Sequence, residues 1–390
     1  MSNPEVSVLI PVYNAEKYLT ACLRSILADP DPSIEVIVLN DGSTDSSPEI
    51  MRRIARTDFR VRVENNPGNL GIVASRQRLI DLAATEYVVP FDADDLMLPG
   101  RLARQKNFLA RNVDAVAVYG KTLAWSPAAN HGCYYTGRPF SNFLILSGNP
   151  LGHGSVMMRR QAVSDVGGYI PVRRIDGVPL NVSEDYFLFL RIAQYGTLCF
   201  VPEFTYIYRL HDSQITGNKT PFEQAAVGLK QWFKENNAPL LETLLRGAEV
   251  DQKSASVALQ LQALGFLTML VPGAGGDALP FIRRAVALAG DNDAGPLIAE
   301  AEYWLGRREW NAAATAAQNL LDRFSTESLI ALSARKLQSA ISRGSSGEVI
   351  DAAMVEAEIH RLEPLALGAD NEIMALLRLA ADLDMTAKDI

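Results

Sequence analysis

Three carboxylates, Asp92, Asp94 and Asp95, fall within four positions in FDADDLMLPGRL, directly behind the apolar run YVVPF. An ionised group taken out of water costs several kcal/mol unless something compensates it, so a strand interior cannot hold three of them unpaired. Closely spaced carboxylate oxygens suit a hard divalent cation such as Mg²⁺, which keeps several waters and bridges to substrate phosphates through one or two carboxylates. Aspartate also favours turns, so the D-x-D spacing alone speaks as much for a turn as for a metal. Further acids stand in LNDGSTD, with Asp41, and in VSEDYFLFLRI, with Glu184 and Asp185. YRLHDSQIT places His211, one of four histidines in the chain, in a polar loop after an apolar run. Each has a structural explanation beside the chemical one: acids at a helix start face the positive end of the helix dipole, and surface histidines are common.

The elements that must position these groups follow from periodicity. Up to about residue 125, β-branched apolar runs alternate with segments of helical period, the signature of βα units feeding a mostly parallel sheet. VSVLIPV (6 to 12), EVIVLN (35 to 40), RVRVEN (60 to 65), YVVPF (87 to 91) and AVAVYG (115 to 120) read as strands. EKYLTACLRSILA, SPEIMRRIAR, GIVASRQRLIDLA and GRLARQKNFLARN read as the amphipathic helices between them. In such a sheet, ligands bind outside the carboxyl ends of the strands. Tyr13, Asn14, Asp41, Asp92 and Asp94 all fall at such ends, so a shared ligand explains them better than several independent turns.

Residues 126 to 220 are irregular and rich in Gly, Pro and aromatics, and are expected to form a substrate-side half of mixed strands and loops. Beyond Pro221, Ala and Leu dominate and helical period persists, which predicts two domains, an α/β unit over 1–220 and an all-α unit over 221–390. AEYWLGRREWNAAATAAQNLL (301 to 321) resembles one tetratricopeptide-type hairpin with Gly306 at its turn, but a solenoid needs about three copies, and an ordinary helical bundle is preferred.

A length of 390 residues allows two or three domains, and 48% hydrophobic with 21% charged residues excludes disorder. A net charge of −8 argues against a duplex nucleic-acid partner. Cys22, Cys133 and Cys199 lie far apart with no CxxC pair, so neither a disulfide framework nor a zinc cluster is expected. MSNPEVSVLI has no basic start followed by a long apolar stretch, and Pro272 breaks the apolar segment near 264 to 276, so a cytoplasmic protein without a membrane span is expected.

Taken in order, VSVLIPVYNAEKYLTACLRSIL, EVIVLNDGSTDSS, NPGNLGIVASRQRLIDLA, EYVVPFDADDLMLPGRLARQ, VSEDYFLFLRI and YRLHDSQIT resemble the family 2 glycosyltransferases of the GT-A fold, from about residue 5 to 216. The resemblance implies an inverting, metal-dependent enzyme that moves a sugar from a nucleotide diphosphate donor, a UDP-sugar first, to an acceptor hydroxyl. It also implies the roles. Asp41 holds the nucleotide base; Pro11, Tyr13 and Asn69 line the nucleotide pocket; Arg76 contacts the nucleotide or diphosphate. In the D-A-D run Asp92 and Ala93 lie on the ribose side and Asp94 binds Mg²⁺ or Mn²⁺, with Asp95 orienting the loop that follows. Asp185 is the catalytic base, supported by Glu184. His211 lies against the diphosphate or metal, with Arg209 and Ser213 beside it on the donor.

His153 in NPLGHGS touches the sugar or marks a turn, and Arg173 and Arg174 meet an anionic acceptor or are solvated surface, the latter preferred. The acceptor classes that fit are a polysaccharide, a lipid-linked glycan and a protein. The helical region would bind acceptor or partner, lie on a membrane surface as a peripheral contact, or build a homo-oligomer. Two alternatives stay open. A nucleotidyltransferase would use the same rim acids and Mg²⁺, although IPVYNAEKY lacks the Gly-rich basic loop it favours, and a non-catalytic nucleotide-sugar-binding module would keep the fold without the chemistry.

Overall fold

The computed structural model describes residues 4–324 apart from 30, 32, 127–130, 136–139, 150, 181, 212–219 and 291–292, and beyond them only 337–339, 341–342, 345, 376, 379–380 and 383. The strands are β1 Val6–Val12, β2 Ile34–Asn40, β3 Val61–Asn65, β4 Tyr87–Pro90, β5 Leu96–Met97, β6 Ala115–Ser126, β7 His131–Tyr135, β8 Met157–Arg159, β9 Val172–Arg173, β10 Pro179–Leu180 and β11 Thr197–Arg209. The helices of the first half are α1 Leu19–Leu27, α2 Ser47–Thr57, α3 Ile72–Leu82, α4 Arg101–Arg111, α5 Arg160–Asp165 and α6 Glu184–Ile192. They are followed by α7 Thr220–Asn236, α8 Ala238–Leu245, α9 Val257–Leu270, α10 Leu279–Ala289, α11 Gly295–Gly306 and α12 Trp310–Arg323.

One sheet runs in the order β3-β2-β1-β4-β8-β6-β11-β5, with β7 pairing on β6. Most of its paired length is parallel: β1 with β2 and β4, β2 with β3, and β6 with β11. The short β8 enters antiparallel between β4 and β6, and β5 lies antiparallel on β11. These two- and three-residue strands carry too little alternation to be read from sequence. The α/β class predicted from the alternation is the fold observed, with helices following in the second half.

Both faces of the sheet are covered, which is why β1 and β2 are apolar at nearly every position instead of alternating. On one face Leu19, Leu23 and Ile26 of α1, Met51 of α2 and Leu102 and Leu109 of α4 pack on Val8, Ile10, Val36 and Val89. On the other, a larger core joins Leu79 and Ile80 of α3 and Phe187, Phe189 and Ile192 of α6 to Leu229 and Phe233 of α7, Leu264 and Phe266 of α9 and Ile282 of α10. The change of sequence texture near residue 220 is therefore a change of secondary structure inside a continuous core. Two helical glycines let this contact close up. A Cβ on Gly228 of α7 would lie 1.9 Å from the Arg173 carbonyl oxygen, and one on Gly265 of α9 would lie 1.8 Å from that of Phe143. A mid-helix glycine costs up to about 1 kcal/mol of helix propensity, which the close approach offsets.

The pair α11 and α12 builds a core of its own around Leu297, Ala301, Ala313 and Leu320, joined by Leu337 and Ile341. Farther on, Leu376, Leu379, Ala380 and Leu383, spaced as one helical stripe, belong to an apolar cluster with Ala21, Leu96, Leu123, Trp125 and Ile207 beside the strand ends. No helix among the described residues is long and apolar enough to cross a membrane.

Candidate functional site

At the carboxyl end of β1, Pro11 is half-buried and Tyr13 stands 53% exposed over an open rim. Asp41, which follows β2, is buried beside it. Its Oδ1 accepts from Asn66 Nδ2 at 2.7 Å and from the Leu70 backbone N–H at 2.8 Å, while Oδ2 accepts from the Gly71 N–H at 2.9 Å. A carboxylate offers about four lone-pair sites, so Asp41 is anchored by three neutral donors and keeps one acceptor position. Asn69 is exposed on the loop so held, its Oδ1 also accepting from Gly71 N–H at 3.1 Å. Gly42 takes φ +75°, and a Cβ there would meet Asn69 N at 2.7 Å, so the D-G step brings the two loops together.

The three acids after β4 each have a different partner, which answers how they are tolerated. Asp92 Oδ1 pairs with Arg76 Nη2 at 2.7 Å, and although burial pushes its carboxyl up, the guanidinium holds it below the ordinary value. Asp94 Oδ2 accepts from His211 Nε2 at 3.0 Å; burial and the neighbouring Asp92 push it up, with His211 opposing. Asp95 is fully buried, raised by burial and by Asp94, and accepts the Arg209 backbone N–H at 3.0 Å. Ala93 is buried between them. Arg209, which the resemblance implies at the donor, lies instead fully buried beneath this loop. Its Nε donates to the Asp94 carbonyl at 2.8 Å, and its guanidinium sits over the rings of Tyr18, 5.1 Å away, and Trp125, 5.6 Å away. Tyr18 also stacks on the His211 ring at 4.6 Å. Ser213 lies outside the described residues.

Glu184 and Asp185 open α6 behind Ser183, whose backbone is left-handed at φ 60° and whose side chain makes no cap bond. Glu184 is almost fully buried and pairs with Arg76 Nη1, so one guanidinium spans the acid after β4 and the acid at the start of α6. Burial raises the Glu184 carboxyl to about 7 against the pull of Arg76, and raises that of the half-buried Asp185 as well. Asp185 Oδ1 accepts from the Tyr186 N–H at 2.7 Å, which steadies the carboxylate on its own helix start. Behind this pair, His153 Nε2 lies 2.8 Å from the Tyr169 hydroxyl, and burial followed by the charge of Arg76 lowers the imidazole to about 3, so it is neutral.

The residues fit a divalent cation held in the manner of Mg²⁺ or Mn²⁺. Among the described residues no three His, Cys, Asp or Glu side chains converge on one point, yet Asp94 and His211 present an oxygen and a nitrogen side by side. A cation that takes one or two protein ligands and completes its shell with phosphate and water needs no more. The structure thus gathers Tyr13, Asp41, Asn69, Asp92, Asp94, Glu184, Asp185 and His211 at the strand ends, with Arg76 and Arg209 buried under them. Asn66 and Tyr18 stand inside the motifs quoted above and Trp125 and Tyr169 outside them, but sequence reading gives none of the four a role, because each acts through a partner at least nine residues away.

Comparison with known proteins bears on the same region. The sequence profile described as "Glycosyl transferase family 2" matches residues 7–166. The chain is 30% identical over 196 residues to the putative glycosyltransferase EpsE of Bacillus subtilis, covering 50% of this chain and 69% of that protein. It is 28% identical over 222 residues to an uncharacterised glycosyltransferase of Haemophilus influenzae, covering 54% and 67% respectively. Among solved structures, S. aureus TarS 1–349 aligns with a TM-score of 0.46 at 15% identity, over 89% of this chain and 93% of that one. The mannosyltransferase PcManGT from Pyrobaculum calidifontis, solved with GDP-Man and Mn²⁺, aligns with a TM-score of 0.43 at 15% identity, over 100% and 87%.

Proposed function

The chain belongs to glycosyltransferase family 2, and from that premise we propose that it transfers a sugar from a nucleotide diphosphate donor, a UDP-sugar first, to an acceptor hydroxyl with inversion. The observation that carries this reading is convergence. His211 bonds to Asp94 across 117 positions, and Arg76, which also holds Asp92, reaches Glu184 across 108, so motifs scattered along the chain meet at one rim.

In this reading the fourth acceptor position of Asp41 takes an N–H of the nucleotide base, and Pro11, Tyr13 and Asn69 line the pocket around it. Asp92 and Ala93 lie along the ribose. Asp94 and His211 hold the cation, which when bound supplies positive charge to the departing diphosphate. Asp185 accepts the proton of the acceptor hydroxyl as its oxygen bonds to the anomeric carbon. On the opposite side of that carbon the bond to the diphosphate breaks, and the nucleoside diphosphate leaves with the electron pair. Arg209 does not touch donor in this reading; it holds the Asp94 carbonyl and the Asp95 carboxylate, and so shapes the loop.

Thermal stabilisation by a panel of UDP, GDP, UDP-glucose, UDP-N-acetylglucosamine and GDP-mannose, each with and without Mn²⁺ or Mg²⁺, tests the reading. A ligand at about 100 times its Kd adds roughly 2.7 kcal/mol to stability. A cation-dependent shift with one nucleotide, lost in Asp94→Ala, is expected. No shift with any nucleotide would remove the donor site from consideration.

A further inference from the structure

Arg76 is the one side chain described that binds acids on both sides of the proposed reaction, and its surroundings say what it does there. Its side chain is 10% exposed, with Nη2 on Asp92 at 2.7 Å and Nη1 on Glu184, itself 5% exposed. Of the five N–H donors of this enclosed guanidinium, one on each terminal nitrogen is given to a carboxylate, so what its present geometry does is bridge Asp92 to Glu184. The next residue of α3 repeats the gesture: Gln77 Oε1 accepts the Tyr169 backbone N–H at 2.7 Å, and Tyr169 carries His153. Helix α3 therefore reaches from the donor half to the base half at two successive positions.

The start of α6 needs such an outside hold. Its N-cap, Ser183, makes no side-chain bond to the first turn, and its left-handed backbone is uncommon for a non-glycine residue. With that cap missing, the pair between Glu184 and Arg76 sets where the first turn lies, and Asp185 is the next residue of that turn.

We propose that Arg76 is a positioning residue that ties the donor-side acid Asp92 to Glu184 and thereby places Asp185, rather than a residue that grips the donor's diphosphate. The proposal rests on the reading of Asp185 as the base. It gives the enzyme a mechanical link: a shift of the loop carrying Asp92 on donor binding is passed through one rigid guanidinium to the helix start that carries the base. Lysine keeps the charge but, lacking the planar fork, cannot hold both carboxylates.

The test compares wild type with Arg76→Lys, Arg76→Gln and Arg76→Met combined with Glu184→Gln, the last removing the unbalanced buried charge should the single variants fail to fold. Titration calorimetry with UDP and GDP in Mn²⁺ reads donor binding, and release of nucleoside diphosphate from the nucleotide sugar identified by thermal shift reads turnover against pH. The positioning role predicts nucleoside diphosphate affinity within about threefold of wild type, with kcat down roughly 100-fold, the loss that about 1 Å of misplacement brings. In the neutral variants, Arg76→Gln and Arg76→Met, the acid limb of the kcat profile should move to higher pH, because a nearby positive charge is gone from the base. In a Glu184→Gln background, replacing Arg76 should cost less than about threefold, since residues that act as a unit are not additive. Loss of UDP or GDP affinity by tenfold or more, with the pH profile unmoved and the same loss in the Glu184→Gln background, would overturn the proposal and return Arg76 to the diphosphate. A wild-type protein that binds no nucleotide overturns the functional reading, and the proposal with it.

Discussion

Asp41, on the proposed donor side, and Glu184, on the proposed base side, are both buried carboxylates at a strand or helix end, and they are stabilised in opposite ways. Asp41 is met by three neutral N–H donors, two of them backbone, contributed by a single loop of residues 66–71. Glu184 is met by one guanidinium shared with Asp92, and burial still lifts its carboxyl to about 7. Three donors from one loop fix a carboxylate in place, which suits recognition of a base edge. A single shared cation leaves the charge of the acid pair adjustable, which suits groups that must take up and release protons near neutrality.

The sharpest way to break this contrast is Asp185→Asn. Asparagine keeps an oxygen for the Tyr186 N–H that Asp185 now accepts at 2.7 Å, so the helix start should survive. It cannot take a proton, and kcat should fall by roughly 10²–10⁴-fold, the usual weight of a general base, with nucleotide affinity unchanged. Steady-state rates and calorimetry on the same preparation separate these effects; a variant that retains turnover would move the base elsewhere. Asp41→Asn should do the reverse on a smaller scale. The amide turns a donor toward the Gly71 N–H now accepted by Oδ2, and removes a charge-assisted acceptor worth about 1.5–3 kcal/mol. Nucleoside diphosphate affinity should weaken roughly tenfold or more while kcat at saturating donor changes little. A fall in kcat without a change in Kd would dissolve the distinction between the two sides.

The donor side was also the more legible of the two in the sequence, for the same physical reason. Asp41, Asp92 and Asp94 announce themselves because polar residues interrupt apolar strands whose ends must meet at one edge of a parallel sheet. Strands β1, β2 and β4 follow from short β-branched apolar runs alone. What joins Arg76 to Glu184, or lays Arg209 under the loop instead of at the open rim, is contact across more than a hundred positions, and no local period encodes it. The packing of the helical half is likewise absent from its texture: Gly228 and Gly265 look like helix-weakening residues until Arg173 and Phe143 are found against them. Ser183 shows the converse, a residue type that favours helix caps but makes no cap bond here; the Tyr186 N–H goes to Asp185 instead, and the Glu184 carboxylate is held from outside by Arg76 of α3.

The smallest expected effect, and the most direct probe of how the base side is held, is the pH dependence of stability. Glu184 in the folded chain titrates near about 7, against an ordinary value of 4.5. Across the window from about 4.5 to 7 the folded state therefore holds a proton that the unfolded chain has released. Stability must fall as pH rises through that window, since the state binding more protons loses ground as protons become scarce. Glutamine cannot titrate, so Glu184→Gln should flatten this part of the curve, leaving the contributions of the other buried acids that burial raises, Asp94, Asp95, Asp185 and Asp293. Melting midpoints at half-unit steps of pH would show the difference as a few degrees, since about 1 kcal/mol moves a chain of this size by roughly 2 °C or less. A wild-type slope of the opposite sign would mean that Arg76 outweighs burial and holds Glu184 ionised throughout.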